Sequence, residues 1–171
     1  MYTLDNYPGI KEPEESGQTF AENARDKAIY YSTLSEVLTV AEDSGLEIDA
    51  LDGAPGVLSA RFNGDSYEKK FETIYKQLKS RNVTLSTARF VCSLAVADYK
   101  KIIFEASGTV EGQIAKNPNG NGGFGYDPIF FYPPYGQTLA SVSIEAKEVV
   151  SHRGKAFRLL RTFLKTSLLN Y

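Results

Sequence analysis

No tryptophan, one cysteine, one histidine and no methionine after position 1 occur in this chain. Each scarcity excludes something. A lone Cys92 rules out an intrachain disulfide framework and any Cys/His zinc spacing, so a reducing cytosol is the expected setting. Cys92 also falls in an alternating apolar pattern, where a small buried hydrophobe is expected rather than a nucleophile. A lone His152 would have to serve any Ser-His-Asp hydrolase, with Ser44 or Ser151 as nucleophile, and no Gly-x-Ser-x-Gly elbow supports that. There is no P-loop. No apolar run approaches membrane-spanning length and the polar N-terminus is unlike a signal peptide, so no membrane partner is expected. The formal net charge is only -2, so no basic field argues for a nucleic-acid polymer as partner. What remains is 171 residues, 42% hydrophobic and 23% charged, which suits one domain over 1–171 with a sizeable core.

Glycine is abundant where the rest is ordinary. The run Asn117-Pro118-Asn119-Gly120-Asn121-Gly122-Gly123-Phe124-Gly125-Tyr126-Asp127-Pro128 interleaves aromatics with glycines. Such a run suits either an elaborate β-turn, as Asn-Gly pairs signal, or a close seat for a flat ring such as a nucleobase. The apolar run Ile129-Phe130-Phe131-Tyr132 that follows reads as a buried strand.

Elsewhere the pattern alternates between the two regular structures. Thr19 and Glu22 form a capping box, opening a helix that carries Phe20, Ala24, Ala28 and Tyr31 on one face. Residues 37–41 read as a short buried strand ending abruptly at Glu42-Asp43-Ser44-Gly45. A long loop over 52–64 precedes an amphipathic helix at about 66–80, marked by Phe71, Ile74, Tyr75 and Leu78. Ala88, Phe90, Cys92, Leu94 and Val96 alternate as a half-buried strand, and Asp98 to Lys101 turns it into a second strand over Ile102–Val110. A short helix near 143–149 and a last helix from about Ser151, with Phe157, Leu160 and Leu164 on one face, close the chain. Mixed α/β is the expected class.

Several residues carry chemistry. Two adjacent acids at a strand's carboxyl end suit a hard divalent ion, which takes one or two carboxylates, waters and substrate phosphates. An acid there would also hold an attacking water. A plain turn bonded by Asp43 or Ser44 reads equally well from the pattern. Glu22 is placed to satisfy the Thr19 amide, and a capping carboxylate can also face a metal. Lys27, taken alone, reads as a solvated lysine within reach of a phosphate. Lys147, His152 and Arg153 cluster near the start of the last helix, with donors for a carbonyl oxygen or a phosphate.

Together these segments resemble the inosine/xanthosine triphosphate pyrophosphatase family. The matching blocks are Thr19 to Ala24 with Lys27-Ala28, Ala41 to Leu46, Gly53 to Gly56 with Ser59-Ala60-Arg61, Gly122 to Pro128, and Ser151 to Gly154. They occur in the family's order. The resemblance implies an elongated mixed sheet flanked by helices, with two lobes around a central cleft, and a cytoplasmic homodimer. It also implies Mg²⁺-dependent hydrolysis of ITP, dITP and XTP to the monophosphate and pyrophosphate. Asp43 matches the general base and a metal-associated acid, and Glu22 and Glu42 match acids near the metal. Position 42 is Glu where many members carry Asp. Ser44, Phe124, Gly125, Tyr126, Asp127, Lys147, His152 and Arg153 match nucleotide-binding positions. The base is expected to stack in the Phe124/Tyr126 loop.

One departure stands out. Family members begin with a strand leading into a Thr/Ser-x-Asn-x-x-Lys loop that grips the triphosphate, and no such motif occurs here. Leu4 to Pro8 resembles the segment after the family's first helix. The domain is therefore expected to be N-terminally truncated, with a weaker phosphate grip and an exposed strand edge. A non-catalytic or weakly active nucleotide-binding remnant is the alternative expectation.

Overall fold

The structure, a computed structural model, describes residues 2–64 and 66–167. Helix α1 spans Phe20–Ser35 and begins where the capping box places it. The Thr19 hydroxyl accepts from the Glu22 amide at 3.1 Å, and Glu22 Oε2 accepts from the Thr19 amide at 3.1 Å and the Gln18 amide at 2.7 Å. Two side chains therefore satisfy three backbone amides at the helix start. The expected face of Phe20, Ala24, Ala28 and Tyr31 is buried throughout.

Strand β1 runs over Thr39–Ile48, not over 37–41. The polar run that reads as a strand end is instead the strand's middle, because the ladder to its neighbour continues unbroken from Thr39 to Ile48. Val37, Leu38 and Val40, expected to be buried, are 39–42% exposed. Val40 lies on the sheet's outermost strand and Val37 and Leu38 just before it, and backbone pairing, not apolar content, extends the strand. After α2 (Tyr67–Ser80, N-capped by Ser66) come β2 (Thr87–Asp98) and β3 (Lys101–Ile114), joined by the expected hairpin. Strands β4 (Phe130–Tyr132) and β5 (Gln137–Thr138), then α3 (Ile144–Val150) and α4 (His152–Ser167), complete the chain.

The sheet order is β1-β2-β3-β4-β5. Every described pair is antiparallel, where a mixed sheet was expected; each strand here pairs with the next in sequence, which favours antiparallel neighbours. The mixed α/β class holds, with helices on both faces. On one face α1 lays Ala24 and Ala28 against Ala41, Ala95 and Ala97, small residues that let helix and sheet approach closely. On the other, α4 seats Ala156 and Leu160 on Cys92, Leu94 and Val96. Phe157 was expected on that buried face but is 44% exposed; the buried stripe runs through Ala156 and Leu160 instead. The main core joins Leu46, Ile48, Phe90 and Phe130 to Phe71, Ile74 and Leu78 of α2.

Gly108 on β3 makes the α4 packing possible. A Cβ there would overlap the His152 carbonyl oxygen and come within 2.8 Å of the Ala156 amide. Both obstacles are backbone, so neither can rotate away. Gly108→Ala is expected to cost about 1–3 kcal/mol, the usual range for overpacking, read as a lower Tm, and to displace the start of α4. No helix among the described residues is long and apolar enough to cross a membrane.

Candidate functional site

Consecutive side chains on a strand point to opposite faces, and β1 uses that rule at its centre. Asp43 stands on the α1 face. Its Oδ2 accepts from Asn23 Nδ2 at 2.8 Å, and its Oδ1 accepts from Lys27 Nζ at 3.5 Å and from the Ser44 amide at 3.1 Å. Lys27 is held more tightly by Glu15, at 2.5 Å, and Arg61 pairs with that same carboxylate at 3.0 Å. An acid–cation chain thus runs Asp43–Lys27–Glu15–Arg61. It borders a cleft of about 1190 Å³ along the outer edge of β1, whose walls include Glu15, Lys27, Tyr31, Val40, Glu42 and Arg61.

The electrostatics of the chain are uneven. Burial raises the Asp43 carboxyl above its ordinary value, and the Asn23 bond and the Lys27 charge offset this only in part. Burial works against the Lys27 ammonium as well, but Glu15 and Asp43 overcome it and its pKa rises. Glu15 is held low, since its bonds to Lys27 and Arg61 outweigh its own desolvation. The cation is therefore shared unequally. Glu15 takes most of it, and Asp43 is left partly uncompensated and more basic.

On the α4 face the site is aromatic and cationic. A cavity of about 150 Å³ is lined by Ser44, Phe90, Tyr126, Asp127, His152 and Arg153 among others. A neighbouring one of about 330 Å³ adds Lys147. Phe124 is 58% exposed, with Lys147 Nζ 4.3 Å and Arg153 Cζ 5.2 Å from its ring centroid. Tyr126 was expected beside it as a second stacking surface. It is only 4% exposed; its hydroxyl donates to the Ser59 carbonyl at 2.8 Å and its ring meets Tyr67 edge-on. Tyr126 shapes the cavity wall, and Phe124 alone offers an open face.

Asp127 braces the loop. Its Oδ2 accepts from the Phe124 amide at 2.7 Å and from Lys147 Nζ. Gly123 must be glycine for this, because its φ is +70° and a Cβ would strike the Asp127 carboxylate. Gly125 also has positive φ, at +65°. His152 is 5% exposed and stacks on Phe90 with centroids 4.9 Å apart. Burial, then the charges of Arg153 and Lys147, push its imidazole down to about 3, so it is neutral near pH 7. His152 Nδ1 and Arg153 Nε are buried with no hydrogen-bond partner among the described residues. Unpaired buried groups of this kind cost about 1–3 kcal/mol each unless something else pairs with them.

The expected acids thus separate. Glu22 spends its carboxylate on the α1 cap. Glu42 faces away from Asp43, with Oε1 accepting from Arg153 at 2.6 Å and Oε2 within 3.4 Å of Cys92 Sγ. Cys92 is fully buried, as expected, and its thiol is pushed up to about 12 by burial and by the Glu42 charge. Among the described residues no group of three or more His, Cys, Asp and Glu side chains converges as a metal cage. Asp43 and Glu15 supply two carboxylates, the number Mg²⁺ accepts when phosphates and water complete its shell, once Lys27, which lies between them, turns to the phosphates. Glu15 is the residue that sequence reasoning missed, along with Asn23 and Arg61 as its neighbours in the cluster. Glu12, Glu14 and Glu15 sit together in an irregular segment, and nothing in the local pattern separates one from the others.

An open aromatic face with buried donors on one side of a strand, and an acid–cation chain on the other, define an α/β protein suited to a ligand that is flat at one end and anionic at the other. A model of the Ham1 family matches residues 1–163, and the chain belongs to that family. It is 44% identical to the dITP/XTP pyrophosphatase of Desulforamulus reducens over 160 residues, covering 92% of this chain and 80% of that protein. It is 46% identical to the dITP/XTP pyrophosphatase of Listeria monocytogenes, with 92% and 79% covered. The HAM1 protein of Coxiella burnetii superposes with a TM-score of 0.90 at 34% identity, covering 95% of this chain and 84% of that one. The Ham1 protein of Staphylococcus aureus gives 0.87 at 38% identity, with 95% and 84% covered.

Proposed function

We propose that this chain is a single nucleoside triphosphate pyrophosphatase domain that hydrolyses ITP, dITP and XTP to the monophosphate and pyrophosphate. The observation that carries the reading is Asp43. It is a half-buried carboxylate made more basic by its surroundings, one residue from Ser44, which lines the cavity beside Phe124. Asp43 takes a proton from water as the water attacks phosphorus. The new P–O bond replaces the bond to the bridging oxygen, and pyrophosphate leaves with that oxygen. Asn23 fixes the orientation of the carboxylate. Lys27, held as an ammonium, and Arg61 offset charge on the phosphates. Asp43 and Glu15 would hold Mg²⁺, which when bound supplies charge neutralisation on the phosphate oxygens.

The base lies against Phe124. Two buried groups without partners, His152 Nδ1 and Arg153 Nε, stand beside that cavity. Arg153 supplies donors for the oxo groups that distinguish hypoxanthine and xanthine from adenine. Adenine presents an amino donor at position 6, which leaves a facing donor unpaired at about 1–3 kcal/mol, enough for a roughly 5- to 150-fold preference. Arg153→Ala is therefore expected to narrow the ratio of ITP to ATP turnover toward unity; an unchanged ratio would refute the donor role. By the same likeness we expect a cytosolic homodimer, which sedimentation checks.

The test of the function is Mg²⁺-dependent pyrophosphate release from ITP, XTP, ATP and GTP. Release from ITP and XTP supports the enzyme. No release, with ITP still raising Tm, would leave a protein that binds the nucleotide without turning it over.

A further inference from the structure

Glu42 and Asp43 are neighbours in sequence, yet their carboxylates have different partners: Asp43 bonds Asn23 and Lys27, while Glu42, which also borders the outer cleft, bonds Arg153. Glu42 shares its face with Leu94 opposite it and Cys92 diagonal to it on β2, and α4 covers that face. Both of its oxygens are engaged there, one by Arg153 at 2.6 Å and the other by the Cys92 thiol. Arg153 in turn lies over the Phe124 ring. A flexible arginine at the first turn of a helix has many rotamers, and an exposed ion pair alone holds one only weakly. This carboxylate differs in being braced from β2: the thiol is kept protonated, so it remains a donor, and its sulfur is fully buried.

We infer that Glu42 is a positioning residue for base recognition, holding the Arg153 guanidinium over Phe124, and that it is not a ligand of the metal. The inference rests on the reading of the Phe124 face as the base site. It gives the two acids of one dipeptide separate tasks. Asp43 serves the phosphate end on the α1 face, and Glu42 serves the base end through Arg153 on the α4 face. Loss of Glu42 frees Arg153 to sample other rotamers, so the fraction of molecules ready to bind falls and apparent affinity falls with it. The chemical step, carried by the opposite face, is untouched.

The experiment compares wild type with Glu42→Gln, Arg153→Ala and the double variant. Turnover of ITP is measured for each, together with Mn²⁺ binding by electron paramagnetic resonance in the absence of nucleotide. Glu42→Gln is expected to raise KM for ITP about tenfold, with kcat within twofold and Mn²⁺ affinity unchanged. The double variant is expected to resemble Arg153→Ala alone, because contacting residues that act as one unit are not additive. A tenfold loss of Mn²⁺ affinity in Glu42→Gln, or additive effects in the double variant, would overturn the inference. Glu42→Asp guards against a folding failure. It keeps the charge and the oxygen donors but retracts them by one methylene, so KM should rise severalfold with Mn²⁺ binding unaltered; a wild-type KM would count against the inference. Calorimetry separates the two levels of argument. If wild type does not bind ITP, the functional reading falls and takes the inference with it. If wild type and Glu42→Gln bind ITP equally, only the inference falls.

Discussion

Replacing Asp43 with asparagine is expected to lower kcat for ITP by about 10²–10⁴-fold, the span of a lost general base, while the fold persists. Asparagine keeps the shape of the side chain and can still meet Asn23, and Lys27 keeps its tighter bond to Glu15. What disappears is the proton acceptor. The pH profile supplies a second reading of the same residue. Only the carboxylate can take a proton, so activity rises with pH through the pKa of Asp43, and burial raises that value. Mg²⁺ held by that carboxylate would lower the value again, so what marks Asp43 is an acid limb of kcat/KM that vanishes from the residual activity of the variant. Stability should move the opposite way. A carboxyl whose folded pKa is raised favours the native state when protonated, and that contribution is lost as pH rises through the folded value. At pH 7.5 Asp43→Asn should accordingly melt no lower than wild type. A variant that is inactive because it has unfolded would show the opposite, and an active folded variant would remove Asp43 from the mechanism.

The second large effect is acid destabilisation through His152. An unfolded imidazole gains its proton near 6.5, whereas the buried one resists until about 3. Between those values the unfolded state binds the extra proton, so native stability falls as pH falls. The slope approaches about 1.4 kcal/mol per pH unit below the unfolded pKa, which amounts to roughly 2 kcal/mol between pH 6.5 and 4.5, a large share of an ordinary domain's total. Arg153 and Lys147 add to the resistance by their charges. Glu15, whose carboxyl is held low, also loses stability on acidification, and Asp43 opposes it. The difference between wild type and His152→Gln isolates the imidazole. Urea unfolding at pH 4.5, 5.5 and 6.5 should show the gap between the two proteins closing as pH falls. Parallel lines would mean that His152 is not buried as a neutral ring.

Elements set by local rules were legible in the sequence. The α1 cap needs only Thr19 and Glu22, three residues apart, and the β2–β3 turn only its polar run between alternating strands. Cys92 was readable as core for the same reason. Failures came where neighbours in space decide. The polar centre of β1 reads as a turn until β2 is placed alongside it, since the backbone ladder, not hydrophobicity, extends the strand there. Tyr126 looks like a stacking ring until Ser59 is brought to its hydroxyl. Asp43, Lys147, His152 and Arg153 were visible as chemistry, but their partners were not. Glu15 lies 28 residues before Asp43 in an irregular segment, and only the packing of that segment against Lys27 and Arg61 singles it out.

Along β1, division of labour is a matter of parity. Odd positions 41, 43 and 45 belong to the α1 side and even positions 42, 44 and 46 to the α4 side. Point substitutions can delete one task or the other, but they cannot exchange them. A single inserted or lost residue within the strand could, because it turns every odd number after it into an even one. At 42–43 a change of chemistry deletes one task, whereas a change of count would carry both side chains to the wrong faces at once.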